Sequence, residues 1–176
     1  MAAEQTVLIG VKSFSNDGLN LLKSIVHGLQ NWLTVTRISS VYRVHGIRRK
    51  PRHIHDLHRF TSLEGLAVCV KGSSTLPPDR ILMDLHDMEG QFRSEIMHRS
   101  ASLNLLVYGH KTLATPTLTL PHPELHEEPE QLIPAVEIWP DYEHPVLGST
   151  LEQLVSRTQG HDLVEFFAQG KTLLDF

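Results

Sequence analysis

RSASLNLLVYG, residues 99–109, is the stretch on which the fold of this chain turns. Ser100, Ser102 and Asn104 alternate with Ala101, Leu103 and Leu105. Successive side chains of a strand point to opposite faces, so the pattern predicts a strand with one apolar face and one neutral polar face. Such a polar row either fronts solvent or lines a binding site.

The segments around it set the order of elements. TVLIGV (6–11) is a short apolar run suited to a buried strand. Asn16-Asp17-Gly18 offers a turn, and Leu22, Ile25, Val26, Leu29 and Leu33 then fall at helical spacing. TVTRISSVYRV (34–44) is rich in β-branched residues and reads as one strand, and LEGLAVCVKG as another. Pro77 and Pro78 precede DRILMDLHDME, where Ile81, Leu82, Leu85 and Met88 mark a second amphipathic helix. After residue 109, LPHPELHEEPEQ carries three prolines and is expected to be largely irregular. LIPAVEIW is a short apolar segment, Ser149 or Thr150 can cap a helix over STLEQLVSRT, and the tail HDLVEFFAQGKTLLDF is apolar enough to dock. The order β-α-β-β-α-β, with C-terminal additions, predicts an α+β fold of the ferredoxin-like split type, an antiparallel sheet backed by helices, in one domain over residues 1–176.

Composition narrows the function. A net charge of −4 argues against general nucleic-acid binding. No apolar run approaches the roughly 18 residues of a membrane span. The start MAAEQTVLIG lacks the basic beginning and long apolar core of a secretory leader, so a cytoplasmic protein is expected. The single cysteine, Cys69 in LAVCVKG, reads as a buried structural thiol.

Twelve histidines are many for this length. His53, His55 and His58, with His45 nearby, have a spacing that can hold a metal. Arg48, Arg49, Lys50, Arg52 and Arg59 in the same loop, 45–60, repel a cation and favour an anion such as phosphate. Asp84, Asp87 and Glu89 share one predicted helix, where a solvated acidic face is the default.

SSVYR (39–43), TLPPDRIL (75–82), LNLLVYG (103–109), LPHP (120–123), LIPAVEIWPD (132–141) and HPVLG (144–148) follow one another in an order that resembles the 6-hydroxymethyl-7,8-dihydropterin pyrophosphokinases of folate biosynthesis. The resemblance runs from about residue 6 to about residue 155 and implies the same fold. It also implies transfer of a pyrophosphoryl group from ATP to the pterin hydroxymethyl oxygen, with Mg²⁺ held by two aspartates in a strand written R-x-L-D-x-D-I-L-x-Y/F-G. Carboxylates at i and i+2 share a strand face and can hold the metal against the triphosphate. Ser102 and Asn104 stand at those two positions, so no metal is expected there.

Further departures accompany this one. The family's G-R-x-R loop becomes Gly90-Gln91-Phe92-Arg93, which leaves Arg93 and Arg99 as phosphate-facing candidates for catalysis. Gly65 and Ala67 align with the aromatic and amide that hold the pterin, and Glu128 and Glu130 with an R-x-F that meets phosphate and pterin. VKSFS (11–15) replaces a G-S-N-L-G turn. Glu89 and His122 match the family's nucleotide side. The resemblance leaves two readings open. One is an inactive homologue kept as a binding or regulatory protein, with a nucleotide or other anion, a protein partner or a second copy as partner. The other is a working pyrophosphokinase using ATP and Mg²⁺. Restoring Ser102→Asp and Asn104→Asp is expected to raise Mg²⁺-dependent nucleotide affinity.

Overall fold

Strand β1 (Gln5–Ser13) lies inside a six-stranded antiparallel sheet, beside its edge strand β5, with strand order β10-β3-β4-β1-β5 and β2 also paired to β4. The computed structural model describes residues 3–45, 65–92 and 100–174. In chain order, helix α1 (Gly18–Leu29) leads to β2 (Thr34–Ile38), β3 (Val41–Val44) and β4 (Gly65–Ser74). Helix α2 (Pro78–Gln91) leads to β5 (Ala101–Tyr108). Two small ladders follow, β6 (Leu113–Ala114) with β7 (Thr119–Leu120) and β8 (Glu143–His144) with β9 (Ser149–Thr150). Between the ladders lie α3 (Glu124–Glu127) and α4 (Pro129–Ile138), and after them α5 (Leu151–Val155) and β10 (Val164–Ala168).

Alternation along the strands creates two apolar layers. Val7, Ile9 and Val11 of β1, Val68 and Val70 of β4, and Leu103 and Leu105 of β5 pack with Leu22, Ile25, Ile81 and Leu85 of α1 and α2. Leu8, Cys69, Leu106 and Val107 point the other way, onto Leu125, Leu132, Ala135 and Leu151 of α3, α4 and α5. The ferredoxin-like βαββαβ core predicted for the chain is present, with a second helical layer added on its other face. Cys69 is fully buried, and burial pushes its thiol far above the ordinary range, as suits a structural residue.

Two expectations need correction. Residues 34–44 form two strands, not one, and both run along β4. The break is at Ser39-Ser40, where the Ser39 hydroxyl accepts the Cys69 N–H at 2.9 Å and donates to the Ser40 carbonyl at 2.8 Å. Hydroxyls that bond nearby backbone compete with the ladder in this way. LPHPELHEEPEQ is largely helical, contributing α3 and the start of α4. Pro129 stands in the first turn of α4, where a missing N–H costs nothing.

The helix cap and the tail follow the sequence. Thr150 caps α5, accepting the Gln153 N–H while the Gln153 side chain accepts from the Thr150 N–H. The tail docks: β10 pairs with β3, and Gly170 lies so close to the Ser39 carbonyl that no side chain fits there.

Candidate functional site

A row of side chains crosses the sheet on the face covered by α3 and α4. Tyr42 pairs with Ala67, Ala67 with Lys12, and Lys12 with Ser102, so all four lie on that face. One step along, Gly10 pairs with Asn104. Ser102 and Asn104 thus share one strand face, as their spacing predicts.

The helices meet this row with carboxylates. The Lys12 ammonium lies 2.8 Å from Glu124 Oε2 and 3.9 Å from Glu130 Oε1. Asn104 donates through Nδ2 to the same Glu124 oxygen at 3.0 Å. Tyr42 donates its hydroxyl to Glu137 at 2.8 Å, and Ser40 donates both its N–H and its hydroxyl to that carboxylate. Glu130 and Glu137 are two turns apart on one face of α4, so the helix is pinned at both ends by carboxylates aimed at the sheet.

Burial makes these contacts matter. Lys12 and Glu130 are each only 6% exposed. Burial works to raise the Glu124 carboxyl, but the charge and hydrogen bond of Lys12, with His122 and Gln131 assisting, outweigh it and hold the carboxyl below its ordinary value. The His122 ring is lowered chiefly by burial, with Lys12 and His126 adding to the effect against Glu124 and Glu127. Its Nδ1 accepts the Glu124 N–H at 3.2 Å, which orients the first turn of α3. Gln131 is fully buried, its carbonyl oxygen pressed against Gly10, and neither side-chain amide atom closes a hydrogen bond of standard geometry. Any side chain at residue 10 would displace it.

The other predicted site residues are placed as follows. Ala67 is fully buried between Tyr42 and Lys12, and Gly65 opens β4 opposite Val44. Glu128 precedes α4 and Glu130 lies in its first turn. Glu89 accepts the Leu103 N–H at 2.7 Å, so its carboxylate clasps α2 to the edge strand β5. Gln91 ends α2 and lines, with Asp84 and Asp87, an open groove of about 590 Å³ between α1 and α2, on the opposite face of the sheet from Lys12. Asp84 is ion-paired there with Arg80 at 3.0 Å. Arg93, Arg99 and the basic His-rich segment from residue 46 onward lie outside the described residues. His45 pairs with Glu165 at 3.0 Å.

Lys12, Glu124 and Gln131 were not singled out from the sequence. A signal for Lys12 exists: a lysine in the run VLIGVKS is a charge in a buried strand, and it requires a counter-charge from elsewhere. Mg²⁺ does not fit the residues at this face. The ion prefers carboxylate ligands, whereas the strand offers a hydroxyl and an amide, and the carboxylate nearest Asn104 already faces an ammonium that would repel it.

Comparison with known proteins shows what the chain as a whole is similar to. The model of the 7,8-dihydro-6-hydroxymethylpterin-pyrophosphokinase (HPPK) family matches residues 8–140. The chain is 36% identical over 93 residues to 2-amino-4-hydroxy-6-hydroxymethyldihydropteridine pyrophosphokinase of Synechocystis sp., which is 51% of this chain and 48% of that protein. It is 24% identical over 152 residues to the protein of the same name from Aquifex aeolicus, covering 84% of this chain and 89% of that one. A solved structure of Plasmodium falciparum HPPK-DHPS superposes with a TM-score of 0.69 at 11% identity, covering 89% of this chain and 46% of that chain. The match thus spans about half the length of the Synechocystis and Plasmodium proteins, and the structural likeness speaks for the fold alone.

Proposed function

Because the chain belongs to the HPPK family, we propose that it is a folate-biosynthesis protein of the HPPK type whose magnesium-dependent pyrophosphoryl transfer is lost or strongly impaired, and that it is kept as a binding or regulatory protein. The observation that carries this reading is the Lys12–Glu124 ion pair beside Ser102 and Asn104. In this reaction the protein contributes mainly positioning and charge stabilisation. A face where an ammonium meets neutral side chains and an already paired carboxylate lacks the means to hold two metal ions against a triphosphate. His122 remains on this face for a nucleotide or another anion.

A second reading has support of its own. The relatives from Synechocystis sp. and Aquifex aeolicus are named as pyrophosphokinases. A working enzyme would use ATP and Mg²⁺ and place its metals with ligands other than Ser102 and Asn104.

One assay separates the two. Purified protein is mixed with MgATP and 6-hydroxymethyl-7,8-dihydropterin, and AMP is measured. Loss of metal-based charge stabilisation is expected to put turnover at least about a hundred-fold below that of the Aquifex protein measured alongside. Turnover within about ten-fold of it would establish the second reading.

A further inference from the structure

We propose that His122 and His144 are twin acid-sensitive latches. Each fixes a turn by accepting backbone N–H groups on its ring Nδ1, so protonation releases the first turn of α3 and the β8–β9 turn while the sheet stays folded. The inference is independent of whether the chain transfers pyrophosphate.

Both latches are written in the sequence as His-Pro, at 122–123 and 144–145. Proline brings no N–H to the second position, so the first donor within reach of the ring lies two residues on. His122 Nδ1 accepts the Glu124 N–H at 3.2 Å. His144 Nδ1 accepts the Val146 and Leu147 N–H groups at 3.3 and 3.2 Å. The His122 N–H is itself held by the Leu106 carbonyl of β5 at 2.8 Å, and His144 pairs with Ser149 across the β8–β9 ladder. Each histidine thus ties its turn to a strand.

A ring nitrogen that accepts a hydrogen bond carries a lone pair, so the proton of the neutral ring is on Nε2. An added proton has one place to go, Nδ1. There it turns the acceptor into a donor that faces the N–H groups it held. His144 loses two bonds in this way and His122 one.

The surroundings favour release over accommodation of the charge. His144 is only 2% exposed, and the titratable group acting on it is His126, whose ring stands edge-on at 5.1 Å. A second imidazole offers no counter-charge. His122 faces Glu124 and Glu127 of its own helix, Lys12 of β1 and the same His126. His126 therefore couples the latches, because a proton on any one of the three rings disfavours the next. Burial is the largest influence on both latch rings and lowers them below the ordinary 6.5. The bonds are whole above that pH and are lost as pH falls through the folded values. Release of α3 loosens the helix that brings Glu124 to Lys12, so the charge facing Lys12 depends on pH.

Ring ¹⁵N shifts and amide exchange of the full chain test this. At about pH 7.5 both rings are expected to show Nδ1 as the unprotonated nitrogen, and a proton found on Nδ1 of either would overturn the proposal. Between about pH 7.5 and about pH 5.5, protection of the Glu124, Val146 and Leu147 amides, corrected for intrinsic rate, is expected to fall at least about ten-fold. Ile9 and Val70, paired inside the sheet, are expected to keep theirs. Protection that holds at the three amides, or that falls equally at Ile9 and Val70, would also overturn it. His122→Asn and His144→Asn keep an acceptor oxygen for the same N–H groups and take up no proton. Each is expected to retain protection of its own turn at the lower pH, and a loss as large as in wild type would remove the assignment to that ring. Where a variant does not fold, the ring shifts and wild-type exchange decide.

Discussion

The Lys12 ammonium lies 2.8 Å from a Glu124 carboxylate oxygen, although the two residues are 112 positions apart in the chain. The contact ties the interior strand β1 to the helical layer above it. Substituting Lys12→Met keeps the packing of the stem and leaves Glu124 and Glu130 facing each other without a counter-charge. Breaking this half-buried pair from one side is expected to cost about 1–3 kcal/mol, and adding Glu130→Gln to recover about half of that. Urea denaturation of the single and double variants checks both numbers.

The same contact changes what the restored aspartates can do. From the strand alone, Ser102→Asp with Asn104→Asp is expected to recover Mg²⁺-dependent nucleotide binding. With Lys12 in place, the new carboxylates instead surround an ammonium and pair with it. The double variant is therefore expected to shift Mg²⁺-dependent affinity for a non-hydrolysable ATP analogue by less than about three-fold, while adding Lys12→Ser brings a gain of at least about ten-fold. Calorimetry with and without Mg²⁺ reads the difference.

Glu89 has a structural task that can be measured at one amide. Its carboxylate takes the Leu103 N–H on the outer edge of β5. Glu89→Ala is expected to cost about 1–3 kcal/mol, the range for a lost bond to a charged group, and Glu89→Gln less because an acceptor oxygen remains. Hydrogen exchange at Leu103 is expected to quicken in the alanine variant and to stay near wild type in the glutamine variant.

Acid sensitivity is expected from two histidines. Burial lowers His144, and the His126 ring, edge-on to it at 5.1 Å, lowers it further, against a hydrogen bond to the backbone of His144 itself. Burial likewise lowers His122. A folded value below the ordinary 6.5 means that the unfolded chain takes up protons first, so these groups stabilise the fold fully above about pH 6.5 and less as pH falls through their folded values. The denaturation midpoint is expected to fall below that pH. His144→Asn is expected to flatten the decline, since its side-chain oxygen can replace the Nδ1 that accepts the Val146 and Leu147 N–H groups.

Tail docking rests on one close approach. Gly170 abuts the Ser39 carbonyl, so Gly170→Ala forces the backbone apart. The cost is expected to be about 1–3 kcal/mol, as for other overpacked sites. Limited proteolysis is expected to cut within the last dozen or so residues sooner in the variant, with β10 released from β3.

Much of the core was legible because it rests on local pattern. The alternation in β5 and the helical spacing in α1 and α2 follow from backbone geometry alone and are found in the structure, except that α1 ends at Leu29, before Leu33. The misses have physical causes. Prolines in 120–131 read as helix breakers, yet Pro129 occupies a position where its missing N–H is harmless. The Ser39-Ser40 break is set by bonds to Cys69 and Glu137, far along the chain. The Glu89 bond to Leu103 is likewise invisible in the sequence, because it requires the packing of α2 on β5.

By itself the sequence determined the element order of the βαββαβ core and the neutral polar row on β5. Those are properties of residue type and spacing, and any strand through Ser102 and Asn104 would present them together. Only the tertiary structure decided what faces that row. Lys12, Glu124, Glu130 and Gln131 come from a strand and two helices separated by most of the chain, and no spacing rule links them. They meet because burying the apolar faces of β1, β5, α3 and α4 brings the charges into one low-dielectric space, where each must find its partner.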